Sequence, residues 1–119
     1  MTKEINWLSL PEAHDYPAAQ DYLSLLFPDE ASSNLVRYLR NAPIVYRKAK
    51  DILRASMYPL LSDDNHHVHK NLKKIEDETP LSPILLVRSQ QHLIIADGYH
   101  RVCAVYLHDE DAQIPCKLV

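Results

Sequence analysis

The stretch that decides the fold is ILLVRSQQHLIIADGYHRVCAVYL, residues 84–107. Ile84-Leu85-Leu86-Val87 reads as a strand, Ser89-Gln90-Gln91 as a turn of hairpin length, and His92 to Ala96 as the returning strand. Both strands are nearly all apolar, the pattern of strands covered on both faces. Gly98 comes next, and then a helix through about Leu107 with Val102, Val105 and Tyr106 turned inward.

Working outward from this hairpin, Ser62-Asp63-Asp64-Asn65 is a cluster of turn and N-cap residues. Val68, Leu72 and Ile75 then recur at i, i+4, i+7, which predicts a helix over His66 to Asp77. Thr79-Pro80 and Ser82-Pro83 mark a loop before the first strand, and Ile114 to Val119 forms a last strand after the Gly98 helix. The order helix, strand, strand, helix, strand fits an α+β sheet layered with helices. Farther upstream, Pro43-Ile44-Val45-Tyr46 is a short strand and Ala49 to Ser56 a helical turn. Asp29 to Asn41 is an amphipathic helix with Leu35, Tyr38, Leu39 and Ala42 on one face and Arg37 and Arg40 off it. Pro17 opens an earlier helix carrying Tyr22, Leu25 and Leu26, which Pro28 closes. Residues 1–16 show no period and read as an arm that packs irregularly.

The bulk numbers bound what such a chain does. Its 119 residues suit one domain, divided here into a helical extension over 1–42 and a core over 43–119. Thirteen basic against sixteen acidic residues give a net charge of −3, so tight duplex DNA binding is not expected, because non-specific affinity comes from neutralised phosphates. Cys103 and Cys116 have no metal-ligand spacing and read as reduced thiols. No apolar run is long enough to cross a membrane or to serve as a signal peptide, which makes the cytoplasm the default location.

Gly98 is the chain's one glycine. A position that keeps glycine when every other turn is made without it needs positive φ or a close backbone approach. It stands where a strand gives way to a helix, where unpaired N–H groups and the helix dipole favour an anion. His100 and Arg101 add donors in the first turn. The plainer reading stays open beside this one. Gly98 would then serve only a tight turn, Asp97 would cap the helix, and Arg101 would pair with Asp109, Glu110 or Asp111 on the surface.

Two other groups carry alternatives. His66, His67 and His69 are dense, and His66 and His69, spaced i, i+3, can begin a metal site, yet no Cys or acidic motif completes one by sequence. Lys48, Lys50 and Arg54 form a small basic group after the Ile44–Tyr46 strand, which by its residues alone reads as a solvated helix face. Lys70, Lys73 and Lys74 read most simply as the wet side of their helix.

The run Ile95-Ala96-Asp97-Gly98-Tyr99-His100-Arg101-Val102-Cys103-Ala104, closed by Ile114-Pro115-Cys116-Lys117-Leu118-Val119, resembles the ParB/sulfiredoxin superfamily over roughly residues 44–119. The resemblance implies a small mixed sheet layered with helices and a turn that binds nucleotide phosphates. It assigns Gly98, Tyr99, His100 and Arg101 to phosphate contacts, with Arg54 and the helix-start residues Asn65 and His66 beside them. Asp97-Gly98-Tyr99-His100-Arg101 differs at one residue from the turn of the family's free-serine kinases. The departures matter equally. Sulfiredoxins carry their catalytic cysteine where Tyr99 stands, so sulfinic-acid repair is not expected. ParB partition proteins continue into a helix-turn-helix domain, which is not found in these 119 residues.

Together these readings lead to a phosphate- or nucleotide-binding domain, with ATP or ADP as ligand and CTP as a further candidate. As an enzyme it would be a nucleotide-dependent phosphotransferase or ATPase acting on a small molecule, with Asp97 as a metal or base group and Mg²⁺ between Asp97 and phosphate. The alternative is a non-catalytic regulatory or protein-binding module. A second carboxylate beside the phosphate site separates the two, because an enzyme needs one to orient a nucleophile or hold Mg²⁺. Glu30, Asp51, Asp63 and Asp64 cannot be placed relative to Asp97 from sequence.

Overall fold

A computed structural model describes residues 3–119. Among them the elements run α1 (Asp15–Leu23), α2 (Asp29–Asn41), β1 (Ile44–Lys48), α3 (Ala49–Ser56), α4 (His66–Glu76), β2 (Ile84–Arg88), β3 (Leu93–Asp97), α5 (Tyr99–His108) and β4 (Gln113–Leu118). The four strands form one mixed sheet in the order β1-β4-β2-β3. β1 is antiparallel to β4 and β2 to β3, while β2 and β4 run parallel. The class is α+β, as the element order predicted.

The apolar run in β2 is explained by two cores, one on each face. Ile84 and Leu86, with Ile95, Ile114 and Cys116, join Ile52, Val68, Ile75 and Val102 from α3, α4 and α5. Leu85 and Val87, with Ile94 and Ala96, join Tyr16, Ala19, Leu23, Val36 and Leu39 from α1 and α2. Side chains alternate along a strand, so each successive residue of β2 feeds the opposite core. Full burial of each such side chain contributes about 1.5–3 kcal/mol. Lys117 of β4 ties the second layer down: it is 4% exposed, and its Nζ donates to the Arg40 carbonyl at the end of α2, 2.8 Å away, where a cation suits the helix dipole.

The N-terminal arm packs irregularly, as expected. Leu8 donates to the Leu81 carbonyl and Leu81 to that of Asn6, both at 2.9 Å; Met1 and Thr2 lie outside the described residues. The α1 expectation needs correction. The helix starts at Asp15 and stops at Leu23, where Ser24 N–H donates to the Gln20 carbonyl and Leu25 N–H to that of Tyr22. Leu25 and Leu26 therefore fall beyond its end and are exposed. In α2 the buried face is Ser32, Val36 and Leu39, with Tyr38 outside. The bounds of α4 and of the β2–β3 hairpin agree with the sequence reading to within one residue. Cys103 and Cys116 are free and buried. No described helix is long and apolar enough to cross a membrane.

Candidate functional site

At the end of β3 the pairing register slips by one: Leu85 faces Asp97 and Leu86 faces Ile95, leaving Ala96 as the extra residue. Such a bulge bends a strand and re-aims the residues beyond it, here Asp97 and Gly98. Gly98 has φ +103° and is the N-cap of α5, a conformation that disfavours any residue with a Cβ. Space is short as well, since a Cβ there would lie 2.5 Å from Ile84 Cδ1 and 2.9 Å from Arg101 Nη2. The close approach that keeps glycine here is therefore made by the chain's own Ile84 and Arg101. Asp97 does not cap α5, which has no side-chain cap.

Arg101 reaches back across this turn. Its Nη2 donates to Asp97 Oδ2 at 2.7 Å and its Nη1 to the Ser82 carbonyl at 3.0 Å. Nη1 also lies 3.8 Å from Asp15 Oδ2. Asp15 opens α1 and is buried; its Oδ2 accepts from Ser82 Oγ and, at 3.0 Å, from the Glu12 N–H. One guanidinium thus serves two carboxylates. Burial pushes the Asp97 carboxyl up, Arg101 opposes this, and Asp15, close enough to hydrogen-bond it, raises it further, to about 6. Asp97 therefore changes charge just below neutrality, as one of two carboxyls beside a shared cation.

A cavity of about 300 Å³ opens at this junction. On one side are Asp15, Ser82, Asp97 and Arg101. On the other, α4 presents His67, Asn71 and Lys74 at i, i+4, i+7. His100 joins them, its ring 4.8 Å from that of His67. Burial, and then His67, lower the pKa of His100. The first α5 hydrogen bond runs from Val102 N–H to the Gly98 carbonyl, so the N–H groups of Tyr99, His100 and Arg101 have no partner within the helix. Glu12, His14 and Asp15 lie at the rim. Each has a ligand atom within 4.8 Å of the others, and among the described residues they are the group that could hold a metal ion.

The sequence-derived site residues divide accordingly. Asp97, Gly98, Tyr99, His100 and Arg101 line the cavity, but Arg101 points its fork at Asp97 and Ser82 rather than at open space. Tyr99 turns its hydroxyl to the Pro59 carbonyl. Asn65 is used up as the N-cap of α4, accepting from His67 N–H at 3.0 Å and Val68 N–H at 3.2 Å; neither it nor His66 lines the cavity. Arg54 pairs with Asp51 at 3.4 Å and lines a separate cleft with Tyr106. Asp15, Ser82 and Asn71 were not singled out by sequence, Lys74 read as a solvated lysine and His67 only as one of a dense histidine group, although His67, Asn71 and Lys74 left a signal. They form a polar stripe one residue ahead of the apolar stripe Val68, Leu72, Ile75. Comparison of the chain with protein-family models, with curated proteins and with solved structures gives no match in any of the three.

Proposed function

We propose that the cavity at the Gly98 turn binds a phosphate-bearing ligand, a nucleotide, and that the protein is a nucleotide-dependent phosphotransferase or ATPase acting on a small molecule. The observation that carries this reading is Asp15 beside Asp97. A second carboxylate at the site is what a phosphoryl-transfer enzyme requires and a simple binder does not. The partnerless N–H groups of α5, Lys74, and His67 and His100 offer donors for phosphate oxygens. Across the cavity, Asp97, its carboxyl pushed up to about 6 by burial, offers a base beside Asp15 to accept a proton from an attacking hydroxyl. Arg101 is a positioning residue that fixes both carboxylates. Mg²⁺ fits the chemistry of Glu12, Asp15 and Asp97, whose oxygens it favours, and bound there it would neutralise charge between carboxylates and phosphate. The Asp97–Arg101 turn and the element order after residue 65 support a ParB/sulfiredoxin-like fold as part of this reading.

A non-catalytic binding module is the second reading. It is favoured by one observation, the mutual neutralisation of Arg101 and Asp97, which leaves less charge for a ligand. Phosphate release from ATP with Mg²⁺, compared between wild type and Asp15→Asn, separates the two. The enzyme reading expects turnover that Asp15→Asn lowers at least ~100-fold, the usual scale for losing an acid–base group. Binding without turnover in wild type supports the module.

A further inference from the structure

A second cavity, of about 520 Å³, lies on the other side of the same turn and shares Asp97, Gly98, Tyr99 and His100 with the first. Its remaining walls are Ala18 and Tyr22 of α1, Tyr58, Ile95 and Ala96. The two differ in chemistry. The first is walled by charged and imidazole side chains, the second by tyrosines and aliphatic groups. α1 joins them, since Asp15 lines the first while Ala18 and Tyr22 line the second, at i, i+3, i+7 on one helix face. That face advances about 10 Å from Asp15 to Tyr22, the reach of a sugar and phosphate chain between a base and a terminal phosphate.

The aromatic walls are held in place. Tyr22 and Tyr58 join hydroxyls at 2.6 Å. The ring of Tyr58 meets that of Tyr99 edge-on, with centroids 5.2 Å apart and planes at 86°. Tyr99 is fixed in turn by its bond to the Pro59 carbonyl. We infer that this cleft is the base subsite of the nucleotide bound at the Gly98 turn: a flat heteroaromatic ring seats among Tyr22, Tyr58 and Ala18 while its phosphates rest on the start of α5. The inference rests on the phosphate reading above and adds the part of the ligand that reading leaves open. A ligand that is charged at one end and planar and apolar at the other matches both halves, whereas inorganic phosphate or a polyphosphate fills only the first.

The test is calorimetry of the full chain with ATP and with inorganic tripolyphosphate, in wild type, Tyr22→Ala and Ala18→Trp. Both positions are on the outer part of α1 (Ala18 is exposed and Tyr22 is 37% exposed), so both variants should fold; far-ultraviolet circular dichroism checks this. Wild type should bind ATP at least ~10-fold more tightly than tripolyphosphate, the scale of one base–aromatic stack. Each substitution should remove most of that margin and leave tripolyphosphate binding within about twofold. ATP binding no tighter than tripolyphosphate, or a margin that survives both substitutions, overturns the base subsite and leaves the phosphate site standing. Failure of both ligands to bind wild type overturns both.

Discussion

Arg101 and Asp97 form an ion pair across the one glycine of the chain, Nη2 to Oδ2 at 2.7 Å, with both side chains mostly buried. The pair closes the β3–α5 turn, and the second arm of the guanidinium holds the Ser82 carbonyl. Removing the cation leaves Asp97 and Asp15 facing each other in a buried place. Arg101→Ala should therefore cost about 3–5 kcal/mol of stability, the usual penalty for breaking a buried pair from one side. Urea denaturation measures it, and Arg101→Ala/Asp97→Asn should recover part of the loss. A loss under about 1 kcal/mol would mean that the pair is a surface contact of little worth.

Gly98→Ala should be destabilising for two separable reasons. The positive φ costs about 1–3 kcal/mol for a residue with a Cβ, and the new methyl would meet Ile84 Cδ1 at 2.5 Å. Ile84→Val removes that atom. The double variant should accordingly lose less than the sum of the singles, a coupling that a thermodynamic cycle reads directly. Strict additivity would put the whole cost in the backbone.

The carboxyl of Asp97 should titrate near 6, against about 3.9 for an unfolded aspartate. Between those values the folded chain holds more protons than the unfolded chain, so this group's contribution to stability is present below pH ~4 and is lost as pH rises through 6. Unfolding free energies of wild type and Asp97→Asn across pH 4 to 7 give the sign. The wild-type value minus the variant value should fall over that window. A rising difference would show that Arg101 outweighs burial and Asp15.

Arg54 and Asn65, both placed at the phosphate by resemblance, give a contrast with Lys74. Arg54→Ala should leave ligand affinity unchanged, because the side chain opens on another cleft. Asn65→Ala should lower stability by about 1 kcal/mol as a lost N-cap rather than act at the ligand. Lys74→Ala should weaken phosphate binding with little change in stability. The reverse ranking in a thermal-shift and calorimetry series would return the site to the positions inferred from sequence.

These contrasts mark what the sequence makes legible. The β2–β3 hairpin, α4 and α5 were readable because their signals are local: unbroken apolar runs, an i, i+4, i+7 stripe, one glycine at a strand-to-helix step. The strand-to-helix turn from Asp97 to Arg101 was readable for the same reason. Asp15 was not, since its place is set by Ser82 and Arg101, partners far along the chain, and nothing around residue 15 announces them. Arg101 was assigned outward because a first-turn arginine beside a glycine suits an anion. Its true direction is set by two carboxylates, half-buried Asp97 and buried Asp15, only the first of which is close in sequence. Leu25 and Leu26 fit helical spacing, but α1 stops at Leu23, and both are exposed beyond its end.

The most direct test of the central claim is the affinity of the full chain for ATP with Mg²⁺, measured by calorimetry on wild type, Lys74→Ala and His100→Ala. Binding in wild type that each substitution weakens by about 1.5–3 kcal/mol, the scale of a hydrogen bond to a charged group, is the result expected of a phosphate seated at the start of α5. No binding to wild type, or binding that neither substitution alters, would contradict it.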